Sequence, residues 1–309
     1  MLCFEPMTIA ARSALEPYYH QYGEGSCQHS FVSSFCMSGK YGDQVCVLDG
    51  FLYTLRSGLC SATERVYLFP LGERNREDAF GRAVENVLLD AREHGCRLRF
   101  ETVTESAAEF LLRLFPGRFL IEENRDCAEY LYTYEKLALL PGHGMASKRH
   151  DISTFERQYA GRYEVRRIRT EEQVEEIRPF QAWWKEMKMA RQEDVQLALE
   201  DGAIRRGLDH FFELGLSGIL VYIDGRLSGY AYGAPLSDGC YDVMIEKGDR
   251  SVPDIYKILN RDLVRLCCGG TAWINREEDL GVEGLRRAKL SYKPDRLIRK
   301  FSVREAETV

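Results

Sequence analysis

The densest run of chemically able side chains lies between Gly284 and Lys300. It holds seven basic residues, Arg286, Arg287, Lys289, Lys293, Arg296, Arg299 and Lys300, against one acid, Asp295. Such a run can bind a polyanion locally, or it can be a solvated helix face partnered by Glu277, Glu278, Asp279 and Glu283 just upstream. A second basic pair, Lys148-Arg149, starts a segment with Ile152, Phe155 and Tyr159 at helical spacing. There it would either meet a phosphate or make an inter-domain ion pair. Tyr130, Tyr132 and Tyr134 alternate, so they share one face of a strand, as core packing or as the wall of a pocket.

Other chemistries lack their residues. The six histidines, His20, His29, His94, His143, His150 and His210, are scattered, with no His-Glu-x-x-His and no metal-ligand spacing, so no metal is expected. Gly-x-Ser-x-Gly is missing, as are Walker and Rossmann glycine patterns in their proper context. Ten cysteines include no Cys-x-x-Cys, and several, such as Cys46 and Cys96, fall in apolar strand patterns. They read as buried, reduced thiols. The 309 residues are 45% apolar and 29% charged with a net charge of -6, which excludes disorder and a global field favouring nucleic acid or lipid. The longest apolar stretch, Leu214 to Ile223, is broken by Gly215, Ser217 and Gly218 and falls short of the roughly 20 residues that cross a bilayer. With no visible leader, the expected location is the cytoplasm.

An internal repeat sets the elements that must position these residues. Asp49-Gly50 and Asp224-Gly225, 175 positions apart, each sit between two apolar runs and predict tight hairpins. The same shift carries Arg65-Val-Tyr-Leu-Phe onto Cys240-Tyr-Asp-Val-Met, and Cys96-Arg-Leu-Arg-Phe onto Thr271-Ala-Trp-Ile-Asn. Each half then reads hairpin, strand, helix, strand, helix, strand. The first half has helices over about 77–94 and around Phe110, Leu111, Leu114 and Phe115, then a long strand from Arg118. In the second, helices cover about 253–266 and 282–290, and Leu297 to Val303 is the closing strand. Two further helices open the second half, one with Val174, Ile177, Trp184 and Met187 on a face, the next with Leu197, Ile204, Leu208 and Phe211. The Pro141-Gly142-His143-Gly144 cluster marks the boundary, giving domains 1–140 and 141–309.

This order, an α/β architecture with mixed sheets, resembles two tandem copies of the GNAT acyltransferase fold. Acetyl-CoA-using members of that fold carry Gln/Arg-x-x-Gly-x-Gly/Ala after the fourth strand, where backbone N–H groups hold the pyrophosphate. Here that junction is Glu246-Lys-Gly-Asp-Arg-Ser-Val-Pro253, with an acid at Asp249 and a proline that lacks an N–H. The first-half junction, Leu71-Gly-Glu-Arg-Asn-Arg-Glu-Asp78, also lacks the pattern, so acetyl-CoA is disfavoured as a cofactor and none is expected.

Two stretches are more specific: Arg125-Asp126, Glu129-Tyr-Leu-Tyr132 and Lys148-Arg-His-Asp-Ile-x-x-Phe155; and Ile274-Asn-Arg-Glu-Glu-Asp-Leu-Gly-Val-Glu-Gly-Leu-Arg-Arg-Ala-Lys289-Leu-Ser-Tyr-Lys-Pro294. With them the chain, from Asp49-Gly50 to Phe301, resembles a bacterial family related to the C-terminal domain of phosphatidylglycerol lysyltransferases. Ser291 stands where those enzymes have a second lysine, and their membrane-embedded part has no counterpart. The resemblance implies transfer of an amino acid from aminoacyl-tRNA to an amine or hydroxyl of a small molecule, peptide or lipid headgroup. It marks Lys289 as the charge on the oxyanion or terminal ribose, and Asp279 or Glu277 as holder and base of the acceptor ammonium. Asn275 and Arg276, at the end of the fifth strand, would bind substrate, as would Tyr292; Lys148 and Arg149 would contact phosphate, and Tyr130 and Tyr132 would line a substrate pocket. Two other readings stand beside it: an acyl-CoA-dependent N-acyltransferase, and a non-catalytic tandem protein that binds tRNA, peptide or a partner.

Overall fold

In the computed structural model, which describes residues 2–75, 77–189 and 195–306, the first elements are β1 (Glu5–Pro6), α1 (Arg12–Tyr22), α2 (Phe31–Cys36) and α3 (Ser38–Tyr41). There follow β2 (Asp43–Leu48), β3 (Phe51–Arg56), β4 (Glu64–Leu68), α4 (Glu77–Glu93), β5 (Arg97–Thr104), α5 (Glu105–Leu114) and β6 (Phe119–Glu123). The next stretch is β7 (Glu129–Thr133), α6 (Tyr134–Leu139), α7 (Ala146–Gln158), β8 (Tyr163–Arg167), α8 (Glu171–Met189) and α9 (Val195–Asp209). Then come β9 (Ser217–Ile223), β10 (Arg226–Ser237), β11 (Cys240–Gly248), α10 (Ile255–Cys267), β12 (Trp273–Asn275), α11 (Glu283–Leu290), β13 (Arg296–Ile298) and β14 (Lys300–Glu305). Arg76, in the first-half loop, lies outside the described residues.

The strands form two seven-stranded mixed sheets, ordered β1-β2-β3-β4-β5-β14-β6 and β13-β7-β12-β11-β10-β9-β8. Both predicted hairpins form, because Asp49 and Asp224 (φ 52° and 50°) and their glycines (82° and 75°) supply the positive φ pairs that twist-matched two-residue turns require. The 175-residue register extends to backbone detail. Gly95 and Gly270 both take positive φ, and so do Thr102 and Glu277, at 53° and 55°. The parallel pairings share the register too, with Tyr67↔Phe100 in β4–β5 matching Asp242↔Asn275 in β11–β12, although β4–β5 runs one rung further, to Leu68↔Glu101.

Two compact units result, one of residues 1–129, 278–286 and 297–309, the other of residues 130–277 and 287–296. These differ from a contiguous division at 140 and 141. The strand of Tyr130 and Tyr132 was expected to close the first half; it pairs instead with β12 in the second sheet. The strand expected to close the second copy, in turn, contributes β14 to the first sheet, between β5 and β6.

Each unit has its own core. In the first, α4 lays Phe80, Val84, Val87, Leu88 and Ala91 against Tyr53, Tyr67, Phe69 and Phe100 of the sheet. In the second, α10 packs Ile255, Ile258, Leu259 and Leu263 with Tyr130, Tyr132, Ile219, Val221, Tyr241 and Ile274. Met187, expected on a face with Val174, Ile177 and Trp184, is exposed, and so is Leu266. All ten cysteines are free; Cys27, Cys36, Cys240 and Cys268 are buried, whereas Cys46 and Cys96 are only partly so and Cys3 is exposed. No helix among the described residues is long and apolar enough to cross a membrane.

Candidate functional site

In the second unit β12 pairs with β11 for three rungs, Cys240↔Trp273 to Asp242↔Asn275, and stops. The remainder of β11 runs on to Gly248 against β10 alone. A fork opens between two parallel strands, and the residues on its prongs are Glu246 and Arg276. Asn275, fully buried, turns the chain at the fork by accepting a hydrogen bond from the Glu277 N–H through Oδ1 at 2.8 Å. That holds Glu277 in its left-handed conformation, where its carbonyl accepts from Tyr130 N at 3.3 Å.

Arg276 crosses the fork. Its Nη2 donates to Glu246 Oε2 at 2.6 Å, and its guanidinium lies 5.1 Å from the Tyr292 ring centroid and 6.0 Å from that of Tyr132. Nε and Nη1 of Arg276 and Oε1 of Glu246 are buried and make no hydrogen bond. Burial opposes the arginine's charge, but Glu246 and the two phenols outweigh it and raise the pKa further. Tyr292 is buried, edge-on to Tyr132 at 6.5 Å, and burial raises its phenol pKa.

Lys148, in the first turn of α7, reaches the same ring. Its ammonium lies 3.9 Å from the Tyr292 centroid and donates to Ser291 Oγ at 2.8 Å. No carboxylate among the described residues lies within ion-pairing distance of it. Burial, then the neighbouring charges of Lys257 and Arg276, lower its pKa, against a smaller opposing pull from Asp151. Lys257 itself is held by Asp151 at 2.9 Å and Asp254 at 2.5 Å.

The other expected site residues have different partners. Lys289 donates from Nζ to the Arg276 carbonyl at 2.5 Å, and its own carbonyl accepts from Tyr132 Oη at 2.7 Å. It fastens α11 to the end of β12, with its ammonium 5.8 Å from the Tyr130 ring centroid. Arg149 donates to the carbonyls of Leu140 and Gly142, closing the C-terminal end of α6. Asp279 belongs to the first unit, fully buried, accepting from Arg286 at 2.8 and 2.9 Å, from Gly281 N at 2.9 Å and from Arg125 at 3.4 Å. Both oxygens of this carboxylate are thus committed to partners within the first unit. The structure therefore gathers Arg276, Tyr292, Lys148, Lys289, Tyr130, Tyr132, Asn275 and Glu277 in one unit and leaves Asp279 out. Sequence reasoning missed Glu246 as a partner, because only the fork brings it to Arg276.

The loop from Gly248 to Ile255 bears on cofactor binding. Asp249 Oδ1 accepts from Ser251 N at 2.8 Å and Ser251 Oγ at 2.7 Å, while Val252 N donates to the Asp249 carbonyl at 3.0 Å. The loop's own acid thus takes up the Ser251 N–H and hydroxyl.

Comparison with known proteins gives the family. The family model for the phosphatidylglycerol lysyltransferase C-terminal domain matches residues 19–304. An uncharacterized protein of Mycoplasmoides gallisepticum is 21% identical over 244 residues, covering 78% of this chain and 76% of that one. A solved Bacteroides thetaiotaomicron protein of unknown function is 27% identical with a TM-score of 0.92, covering 99% of this chain and 100% of its own. The C-terminal domain of a putative lysylphosphatidylglycerol synthetase from Agrobacterium fabrum shares the fold at a TM-score of 0.66 and 12% identity, over 97% and 92% of the two chains. A tandem GNAT protein from the clavulanic acid pathway does so at 0.52 and 13%, over the full length of both. With the match running through both units, the chain belongs to the phosphatidylglycerol lysyltransferase C-terminal family.

Proposed function

We propose that the protein is an aminoacyltransferase that takes an amino acid from aminoacyl-tRNA and passes it to an amine or hydroxyl acceptor. The observation that carries this reading is the Arg276–Glu246 pair across the β11–β12 fork. In a GNAT-like fold that fork is the natural slot for an extended thioester donor, and here an ion pair bridges it while Asp249 fills the adjoining loop. A donor other than acyl-CoA fits such a site better, and the family's name, a lysyltransferase, points to an aminoacyl group.

An aminoacyl-tRNA ester is already activated, so the protein must position it, hold charge on the tetrahedral oxygen and remove one proton. The acceptor amine attacks the ester carbonyl, forming the N–C bond. The C–O bond to the terminal ribose breaks, and the proton lost by the amine ends on the ribose oxygen. Glu246 is the base in this scheme, since Oε2 is fixed by Arg276 while Oε1 has no partner. Use of a tRNA donor makes the protein cytoplasmic, in keeping with ten free thiols.

The test is transfer of radiolabelled amino acids from a pool of charged tRNAs to a panel of amines and phosphatidylglycerol, run beside acetyl-CoA. Labelled product that appears with tRNA and disappears in Glu246→Gln is the expected result. Acetylation from acetyl-CoA without any aminoacyl transfer would overturn the reading in favour of the acyl-CoA class.

A further inference from the structure

Three cations surround Tyr292, and their accounting is uneven. Arg276 is compensated by Glu246, and Lys257 by Asp151 and Asp254. Lys148 has only a ring face and the neutral hydroxyl of Ser291. Ser291 in turn donates its proton to the Ala288 carbonyl at 2.6 Å, so its oxygen is fixed as an acceptor facing the ammonium. Cation–π contact and one neutral hydrogen bond hold the lysine in place without neutralising it. Unlike Arg276, whose two spare nitrogens are sealed from solvent, Lys148 is half-buried and keeps an outward side. A cation that is immobilised, in contact with no carboxylate and pressed by two like charges, with Asp151 as the one nearby opposing charge, gains most from an anion.

We propose that Lys148, backed by Arg276 and Lys257, binds a phosphate group of the donor's terminal nucleotide. The source of that phosphate rests on the aminoacyl-tRNA reading above; the anion site rests on the lysine's surroundings alone. Tyr292 and Ser291 are its positioning residues, setting the ammonium's height over the ring. Because Ser291 accepts from Lys148, a lysine at 291 would repel it, so the serine and the seated lysine belong together.

Adenosine 5′-monophosphate, adenosine and glycerol 3-phosphate, titrated by calorimetry into the full chain, test this directly. Saturable binding of the monophosphate, no binding of adenosine, and a loss of about tenfold or more in Lys148→Ala, the worth of a charge-assisted hydrogen bond, are expected. Lys148→Arg should recover most of the affinity, and circular dichroism separates a folding defect from a binding one. Unchanged monophosphate affinity in Lys148→Ala overturns the site. Glycerol 3-phosphate binding as tightly as the nucleotide overturns the nucleotide as its source. If the monophosphate result holds but no aminoacyl-tRNA is consumed, the site stands and the function proposed above falls.

Discussion

The two units share a backbone plan and use the same positions for opposite purposes. Where the second unit has Asn275 to turn the chain at its fork, the first has Phe100, fully buried, 5.5 Å from Phe69. Phe69 and Phe110 both meet Phe80, at 5.4 and 4.9 Å, so the first unit's equivalent region is a dry aromatic cluster. Tyr67 of β4 corresponds to Asp242 of β11, and Leu71 to Glu246. Two of these exchanges, Phe100 for Asn275 and Leu71 for Glu246, replace an apolar side chain by an amide or a carboxylate, whereas Tyr67 is itself hydrogen-bonded to Asp90 and Arg276 stands where the first unit has the charged Glu101. The first unit's own charges are of another kind: Lys300 and Glu129 are fully buried, 2.6 Å apart, with Ser26 bound to both and Cys27 N donating to Glu129 at 3.0 Å. That network joins segments far apart in the chain and presents no group outward. One backbone plan thus carries an aromatic cluster in the first unit and an arginine–glutamate pair at the fork of the second.

The largest test of this contrast is Lys300→Met. Removing one partner of a fully buried pair strands the other, at a cost of about 3–5 kcal/mol in chemical denaturation. A loss under about 1 kcal/mol would mean that the network is not structural. Arg276→Met in the second unit should cost less, about 2–3 kcal/mol, because Glu246 is nearer solvent and can regain water. It should also abolish transfer, which Lys300→Met need not do at temperatures where it stays folded.

A third test is pH. His29 in the first unit is buried among Lys300, Arg74 and Arg56, with neither ring nitrogen hydrogen-bonded. Burial first, then those cations, hold its pKa well below the ordinary value of 6.5. The unfolded chain therefore takes up this proton first, and stability falls as pH drops below 6.5, by at most about 1.4 kcal/mol per pH unit for one group. His29→Gln should flatten that slope in melts at pH 5 to 7; an unchanged slope would remove His29 from the account.

The smallest effect concerns the paired left-handed residues. Thr102 is β-branched, buried, and its Oγ1 has no hydrogen bond, so Thr102→Gly should stabilise by roughly 0.5–1 kcal/mol. Glu277→Gly should gain less, because a glutamate tolerates that region better and gains nothing from a freed hydroxyl. Equal gains by thermal denaturation would show that the two left-handed residues carry the same strain.

Much of this was legible in the sequence because local signals agreed with the fold. Asp-Gly turns, apolar spacing in α4 and α10, and glycine stops at 95 and 270 are properties of a few adjacent residues. The short α2 and α3 have six and four residues, too few for a helical period to emerge. Which sheet β7 and β14 join was not legible either, since an alternating strand reads the same beside any partner. The site shows the same limit. Arg276, Tyr292 and Lys148 were identified and do converge, but Asp279 could be seen as a structural ion only once Arg125, 154 positions away, was placed beside it.

The exchange of strands has a consequence for biosynthesis. β5 ends at Thr104, yet its neighbour in the sheet begins at Lys300. While a ribosome is still making the intervening segments, β5 and β6 have only open edges facing the gap that β14 will fill. Folding of the first unit must wait for most of the chain to emerge, with exposed strand edges for chaperones to cover meanwhile. An N-terminal fragment ending near residue 140 should accumulate as aggregate, and supplying a peptide of residues 297–306 in trans should rescue part of it.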